Sequence, residues 1–183
     1  MHLIIILGLP GGGKTMFAQQ LGAALHLPVQ HKDTIKELLC DTLGCPDLQR
    51  SRELGKMSMI LLYQWAETML AAGQSCIIES TFHPQYSTAD IAVLQAKYPF
   101  EPVQIRCHTT HDILIERIQQ RLALGQRHAG HFDDARSQNE GLAAGLDEFL
   151  AIGGAHIEFD TTHVERDGYA EIIRKTKNII DNE

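Results

Sequence analysis

Basic charge is what this chain has little of. Its 16 lysines and arginines are outnumbered by 23 aspartates and glutamates, for a formal net charge of −7. Affinity for a nucleic-acid backbone comes mainly from clustered Lys and Arg, so this balance argues against a nucleic-acid partner and favours a small substrate. Long apolar runs are missing as well. No uninterrupted stretch exceeds the short run 3–7, far below the ~20 residues of a membrane-spanning helix, so no membrane partner is expected. The amino-terminal residues carry no basic segment or small-residue cleavage site, and the expected location is cytoplasmic. Cysteine is sparse. Cys76 and Cys107 fall in expected buried strands, while Cys40 and Cys45 form one close pair without a second ligand pair, so reduced thiols are expected rather than disulfides or zinc. With no linker-like composition and no internal repeat, the 183 residues read as a single domain, 1–183, and no partner protein is evident.

What is present begins with Gly8-Leu9-Pro10-Gly11-Gly12-Gly13-Lys14-Thr15, set between the apolar run 3–7 and a helical pattern over 14–25. This fits the phosphate-binding loop, Gly-x4-Gly-Lys-Thr, at every defined position. A polyphosphate is held by backbone N–H groups that point inward, and the glycines permit the turns and close approach this requires. The following helix adds its unpaired amino-terminal N–H groups and dipole. Gly8, Pro10, Gly11, Gly12, Gly13, Lys14, Thr15 and Met16 are therefore the candidate nucleotide-binding set, with Lys14 reaching the phosphates and the Thr15 hydroxyl placed for Mg²⁺.

Short apolar runs alternate with helical patterns along the rest of the chain. Expected strands at 3–7, 28–31, 75–79, 103–107 and 155–160 indicate an α/β fold, a three-layer sandwich with a five-stranded, mostly parallel sheet and helices on both faces. Helices are expected over 34–40, 48–72 with Leu54, Met57, Leu61, Trp65 and Met69 facing the core, from Ser87 to before Pro99, and over 111–124 with Leu114, Ile115, Ile118 and Leu122 buried. A polar, mobile loop at 126–134 leads to a helix capped by Asp133 or Asp134 and running to about Leu150, and a last helix is expected over 169–180. Ligands of open parallel sheets bind at the carboxyl ends of the strands, where Asp33, Glu79 and His108 fall.

Two readings of Asp33 stand at this point: N-cap of the helix 34–40, or an acid facing an acceptor. Glu79 is either a strand-end acid in solvent or a group that helps hold a metal near the loop, directly or through water. Arg117 is either a surface partner of Glu116 or Asp112 or part of a lid, and Arg121 and Arg127 are better placed for the second role. The pairs His108/His111 and His128/His131 lack the further ligands that a zinc site needs.

On these residues the chain resembles small P-loop kinases, AAA-type ATP-binding proteins of the group containing chloramphenicol phosphotransferase, gluconate kinase, polynucleotide kinase domains and zeta-toxin-like kinases. The resemblance rests on the loop 8–15, Asp33 after the second strand, Ile77-Ile78-Glu79-Ser80-Thr81-Phe82, and Arg117, Arg121 and Arg127-His128-Ala129-Gly130-His131. It implies a nucleoside-kinase-like fold with a helical lid over about 117–134, ATP and Mg²⁺ as cofactors, and a phosphotransferase acting on an alcohol group of a small molecule. Lys14, Asp33, Arg121 and Arg127 then take the catalytic positions, with Asp33 accepting the proton of the acceptor hydroxyl, and Glu79 helps place Mg²⁺. Kinases of nucleic-acid 5′-hydroxyls or sugar nucleotides share this apparatus. An ATP-bound switch with slow hydrolysis is the reading from outside catalysis.

Overall fold

The computed structural model describes residues 1–132, 148–163 and 166–181. Its centre is β1 (His2–Leu7), buried at every position. A strand with no polar alternation has no solvent face, which suits it to the middle of a parallel sheet covered on both sides. The sheet runs β2 (Val29–His31), β3 (Cys76–Glu79), β1, β4 (Glu101–His108), β5 (Ala155–Asp160), and every pairing is parallel. Successive residues of β1 feed opposite cores. Leu3, Ile5 and Leu7 pack with Leu62, Ala66 and Leu70 of α3 (Leu48–Ala71) and Ile91 and Leu94 of α4 (Pro84–Lys97). Ile4 and Ile6 pack with Phe17 and Leu21 of α1 (Lys14–Leu25) and Ile172 of the carboxyl-terminal helix, α6 (Arg166–Asp181). These are the two faces of a three-layer sandwich, and each fully buried aliphatic or aromatic side chain contributes about 1.5–3 kcal/mol.

Several boundaries differ from the sequence reading, each for an identifiable reason. The second helix, α2, spans Lys32–Leu43, and His31, in an extended conformation, is the residue before it. Asp33 is thus inside the first turn and is not an N-cap. An acid there still gains from the helix dipole. Helix α4 begins at Pro84 rather than Ser87, because proline at the first helical position lacks only an N–H that would be unpaired anyway. In α3 the buried stripe is Ser51, Leu54, Ser58, Leu62, Ala66 and Leu70; Leu54 is core as expected and Trp65 and Met69 pack at its edge, whereas Met57 and Leu61 are 40% and 43% exposed. The fourth crossover helix, α5 (His111–Ala123), buries Leu114 but leaves Ile115 and Leu122 at 38% exposure.

The expected helix beginning at Asp133 or Asp134 lies outside the described residues. It does not reach Leu150, since residues 148–150 are not helical. Leu150 is instead pinned to the sheet by the buried Gln104 amide, whose Nε2 donates to the Leu150 carbonyl (3.0 Å) and whose Oε1 accepts from its N–H (2.8 Å). Among the described residues no helix is long and apolar enough to cross a membrane.

Candidate active site

The loop between β1 and α1 turns through left-handed φ values at Gly8 (137°), Gly11 (86°) and Gly13 (79°). Gly8 is the tightest point. A Cβ there would lie 2.1 Å from the Cys107 carbonyl oxygen of β4, so only glycine lets the strand leave the sheet at this angle. The loop is braced from behind by residues distant in sequence. Arg117 of α5 donates Nη1 to the Gly11 carbonyl (3.3 Å) and Nη2 to the Thr161 carbonyl (2.6 Å), and the Thr161 hydroxyl lies 3.0 Å from the Gly12 carbonyl. Arg117 is therefore not a surface partner of Glu116 or Asp112. A trans peptide directs its N–H opposite its C=O, so tying back the Gly12 carbonyl aims the Gly13 N–H the other way. Thr161 was missed from sequence, and its only signal is its place just after a strand's carboxyl end.

Within the loop the buried Lys14 ammonium donates to the Leu9 carbonyl (2.9 Å) and lies 3.9 Å from a Glu79 carboxylate oxygen. Glu79 ends β3, which lies between β1 and β2, with Ile6 and His31 as its register partners. Its other oxygen accepts from the Thr15 hydroxyl (3.1 Å) and sits 3.0 Å from Nδ1 of His31. At 5% exposure Glu79 is not a strand-end acid in solvent. His31 and Thr81, whose hydroxyl donates to the Gly8 carbonyl (3.1 Å), were not legible as site residues. Sheet register brings His31 there, and Thr81 follows two residues beyond the end of β3. Of the remaining loop set, Pro10 is exposed, and Met16 is 59% exposed with its sulfur accepting from the Tyr169 hydroxyl (3.5 Å).

Beyond this cluster, Asp33 pairs with the Lys32 ammonium (3.0 Å) and with Nη1 of Arg127 (3.3 Å). Desolvation by the surrounding atoms would raise its carboxyl, but the charges of Lys32, His131 and Arg127 outweigh it and hold the group well below the usual carboxylate range. Its side chain is nonetheless 44% exposed, so an incoming group can reach it. Arg121 donates Nε to the carbonyl of Arg117 on its own helix (3.2 Å). Of the three arginines, then, Arg117 touches the phosphate loop and Arg127 touches Asp33. The 126–134 stretch is not simply a polar loop. Ala129–His131 is a short 3₁₀ turn whose His131 is 2% exposed. At the other edge of the sheet Asp160, the last residue of β5, accepts from the Thr162 N–H (2.8 Å).

A surface depression of about 640 Å³ lies elsewhere, lined by His2, Ser75, Tyr98 and Glu101 at the amino ends of the strands. It is at the wrong end of the sheet for the loop chemistry.

Known structures share this fold. A candidate kinase from Chloroflexus aurantiacus J-10-fl, solved at 1.70 Å, is 37% identical and superposes with a TM-score of 0.90 over 97% of each chain. Kti12 from Chaetomium thermophilum, solved in complex with ADP-AlF3, is 17% identical with a TM-score of 0.68, over 97% of this chain and 98% of that one. The APS kinase CysC of Mycobacterium tuberculosis, in complex with AMPPNP and APS, is 14% identical with a TM-score of 0.58, over 98% and 97%. The last two likenesses carry the fold alone. No curated protein matches the sequence. Residues 3–144 match the family model described as AAA domain, AAA_33, a span that takes in the loop, Asp33, Glu79, Arg117 and Arg127, and the chain belongs to that family, on the fold of the small P-loop kinases.

Proposed function

We propose that this protein is an ATP-dependent kinase, acting in the cytoplasm, that transfers the γ-phosphate of MgATP to a hydroxyl of a small molecule. The observation that carries this reading is Asp33, an accessible carboxylate at the carboxyl end of the sheet, paired with Arg127 and Lys32. A protein that only bound or slowly hydrolysed ATP would have no use for an acid and an arginine on the acceptor side.

The acceptor oxygen attacks the γ-phosphorus, the bond from that phosphorus to the β,γ-bridging oxygen breaks, and the products are ADP and a phosphate monoester. Asp33 is too acidic to remove the hydroxyl proton beforehand. It orients the hydroxyl by accepting its hydrogen bond and takes the proton late, which suits the loose transition state of phosphoryl transfer. Lys14 and the loop N–H groups carry the charge that builds on the transferring group and on the leaving ADP oxygen. Arg127 shields the negative carboxylate from the negative phosphoryl group. The Thr15 hydroxyl beside the Glu79 carboxylate is a pair of hard oxygen donors and fits Mg²⁺; these two residues would hold it, and it would neutralise charge on the phosphate oxygens. His31 fixes the Glu79 carboxylate from its other side.

Incubation with labelled ATP and a panel of alcohols, sugars, nucleosides and antibiotics tests the reading. We expect at least one acceptor to raise turnover well above the water background and to appear as a phosphate monoester. Tight MgATP binding with no transfer across the panel would favour the switch.

A further inference from the structure

The stretch Arg127-His128-Ala129-Gly130-His131 is seated in a socket formed by α2 and α3. Asp33, Glu37 and Asp41 recur every four residues of α2 and so line one side of it. Each meets one side chain of the stretch: Arg127 lies 3.3 Å from Asp33, His131 Nε2 2.9 Å from Glu37, and His128 Nε2 2.9 Å from Asp41. Between these rungs Gly130 faces inward. Its carbonyl accepts from the Ser51 hydroxyl of α3 (2.6 Å), and that hydroxyl in turn accepts from the buried Lys36 ammonium (2.8 Å). A Cβ at position 130 would meet Cys40 Sγ at 2.6 Å and Cys40 Cβ at 3.1 Å. Polar surface loops do not ordinarily bury a histidine to 2% exposure and fill the space beneath a glycine with a cysteine side chain.

We propose that His131 and Gly130 are positioning residues for the acceptor side of the site: they key residues 127–131 into the α2–α3 socket, and the seated stretch sets the Arg127 guanidinium against Asp33. Neither touches the phosphate loop. The catalytic consequence rests on the kinase reading, whereas the seating itself does not.

A pH dependence follows. His131 faces Glu37, Asp33 and Lys36 from α2, and Arg127 and His128 from its own stretch. Burial lowers its pKa from the ordinary 6.5, against the opposing pull of Asp33. The seated form therefore binds fewer protons than the unseated one. Seating is fully favoured above about 6.5 and weakens as the pH falls through and below that value.

The test is an NMR titration of the Asp33 carboxyl and the His131 ring in the full chain, with MgATP affinity measured alongside. In Gly130→Ala the added methyl lifts the stretch, so the Asp33 midpoint should climb toward 3.8 and that of His131 toward 6.5. His131→Ala should raise the Asp33 midpoint most, losing both the ring's charge and its hydrogen bond to Glu37, whereas His131→Gln, which loses the charge but can still donate to Glu37, should raise it less. MgATP affinity should stay within a few-fold in all three. If Gly130→Ala does not fold, the histidine pair decides. An Asp33 midpoint that stays at its wild-type value in Gly130→Ala and His131→Ala overturns the proposal, and so does a Gln variant that behaves like Ala. These readouts need no acceptor, so failure of the kinase reading would show separately, as absence of transfer in a protein whose titrations behave as described.

Discussion

Replacing Asp33 with asparagine separates what this residue contributes to the fold from what it contributes to transfer. Its carboxylate makes two ion pairs, with Lys32 and Arg127, but its side chain is 44% exposed. Half-exposed pairs of this kind contribute about 0.2–1 kcal/mol each, and the asparagine carbonyl retains one of the hydrogen bonds, so the stability loss should stay below about 1 kcal/mol. Loss of a positioned proton acceptor costs about 10²–10⁴-fold in transfer, equivalent to roughly 2.7–5.4 kcal/mol of barrier. The catalytic effect thus exceeds the structural one severalfold. Calorimetry should find MgATP affinity within a few-fold of wild type, because Asp33 does not touch the loop, and phosphate transfer to an identified acceptor should fall while hydrolysis by water falls less. The acid side supplies a second check. With its folded pKa depressed, Asp33 contributes stability that is present above 3.8 and lost as the pH falls through its lowered value, so the variant should flatten that part of the urea stability profile. Transfer by Asp33→Asn at the wild-type rate would refute the reasoning and leave Asp33 an exposed ion-pair partner.

Three further perturbations probe the other parts of the site. Lys14→Ala, which removes the cation lying between the Leu9 carbonyl and Glu79, should lower MgATP affinity or turnover at least about tenfold, near 1.4 kcal/mol, by calorimetry and kinetics. Glu79→Gln should raise the Mg²⁺ concentration needed for half-maximal turnover by about tenfold or more while sparing metal-free nucleotide binding, and an unchanged Mg²⁺ titration would remove it from the metal's surroundings. Gly8→Ala sets a Cβ 2.1 Å from the Cys107 carbonyl and strains a φ of 137°, so the urea midpoint should report a loss of at least about 3 kcal/mol.

The parts of this molecule legible in sequence are those written in consecutive residues. The phosphate loop is one: its glycines, lysine and threonine sit side by side, and the buried strand before it and helix after it have their own local patterns. Most of the sheet was legible for the same reason, since β1 and β3 declare themselves as short apolar runs and β4 and β5 carry apolar residues at alternate positions. Pairings across the chain were not. Arg127 and Asp33 are 94 residues apart, and His31 and Glu79 are 48 apart, brought together by β2–β3 register that no single segment encodes.

The failure on α3 is the most informative, because it has a cause in the site itself. Hydrophobic periodicity chose Met57 and Leu61 for the core, yet the buried stripe includes Ser51, Ser58 and Ala66. Ser51 is buried because it joins the Lys36 ammonium to the Gly130 carbonyl, and Ser58 because its hydroxyl is satisfied by the Gly55 carbonyl one turn back. A buried hydroxyl with its partners supplied costs little, whereas a leucine at position 51 would leave the Gly130 carbonyl and the Lys36 ammonium without that hydroxyl. Ser51 is thus the seat of the stretch 127–131 on α3. The hydrophobic pattern misleads where the helix changes from packing against the sheet to holding the segment that carries Arg127.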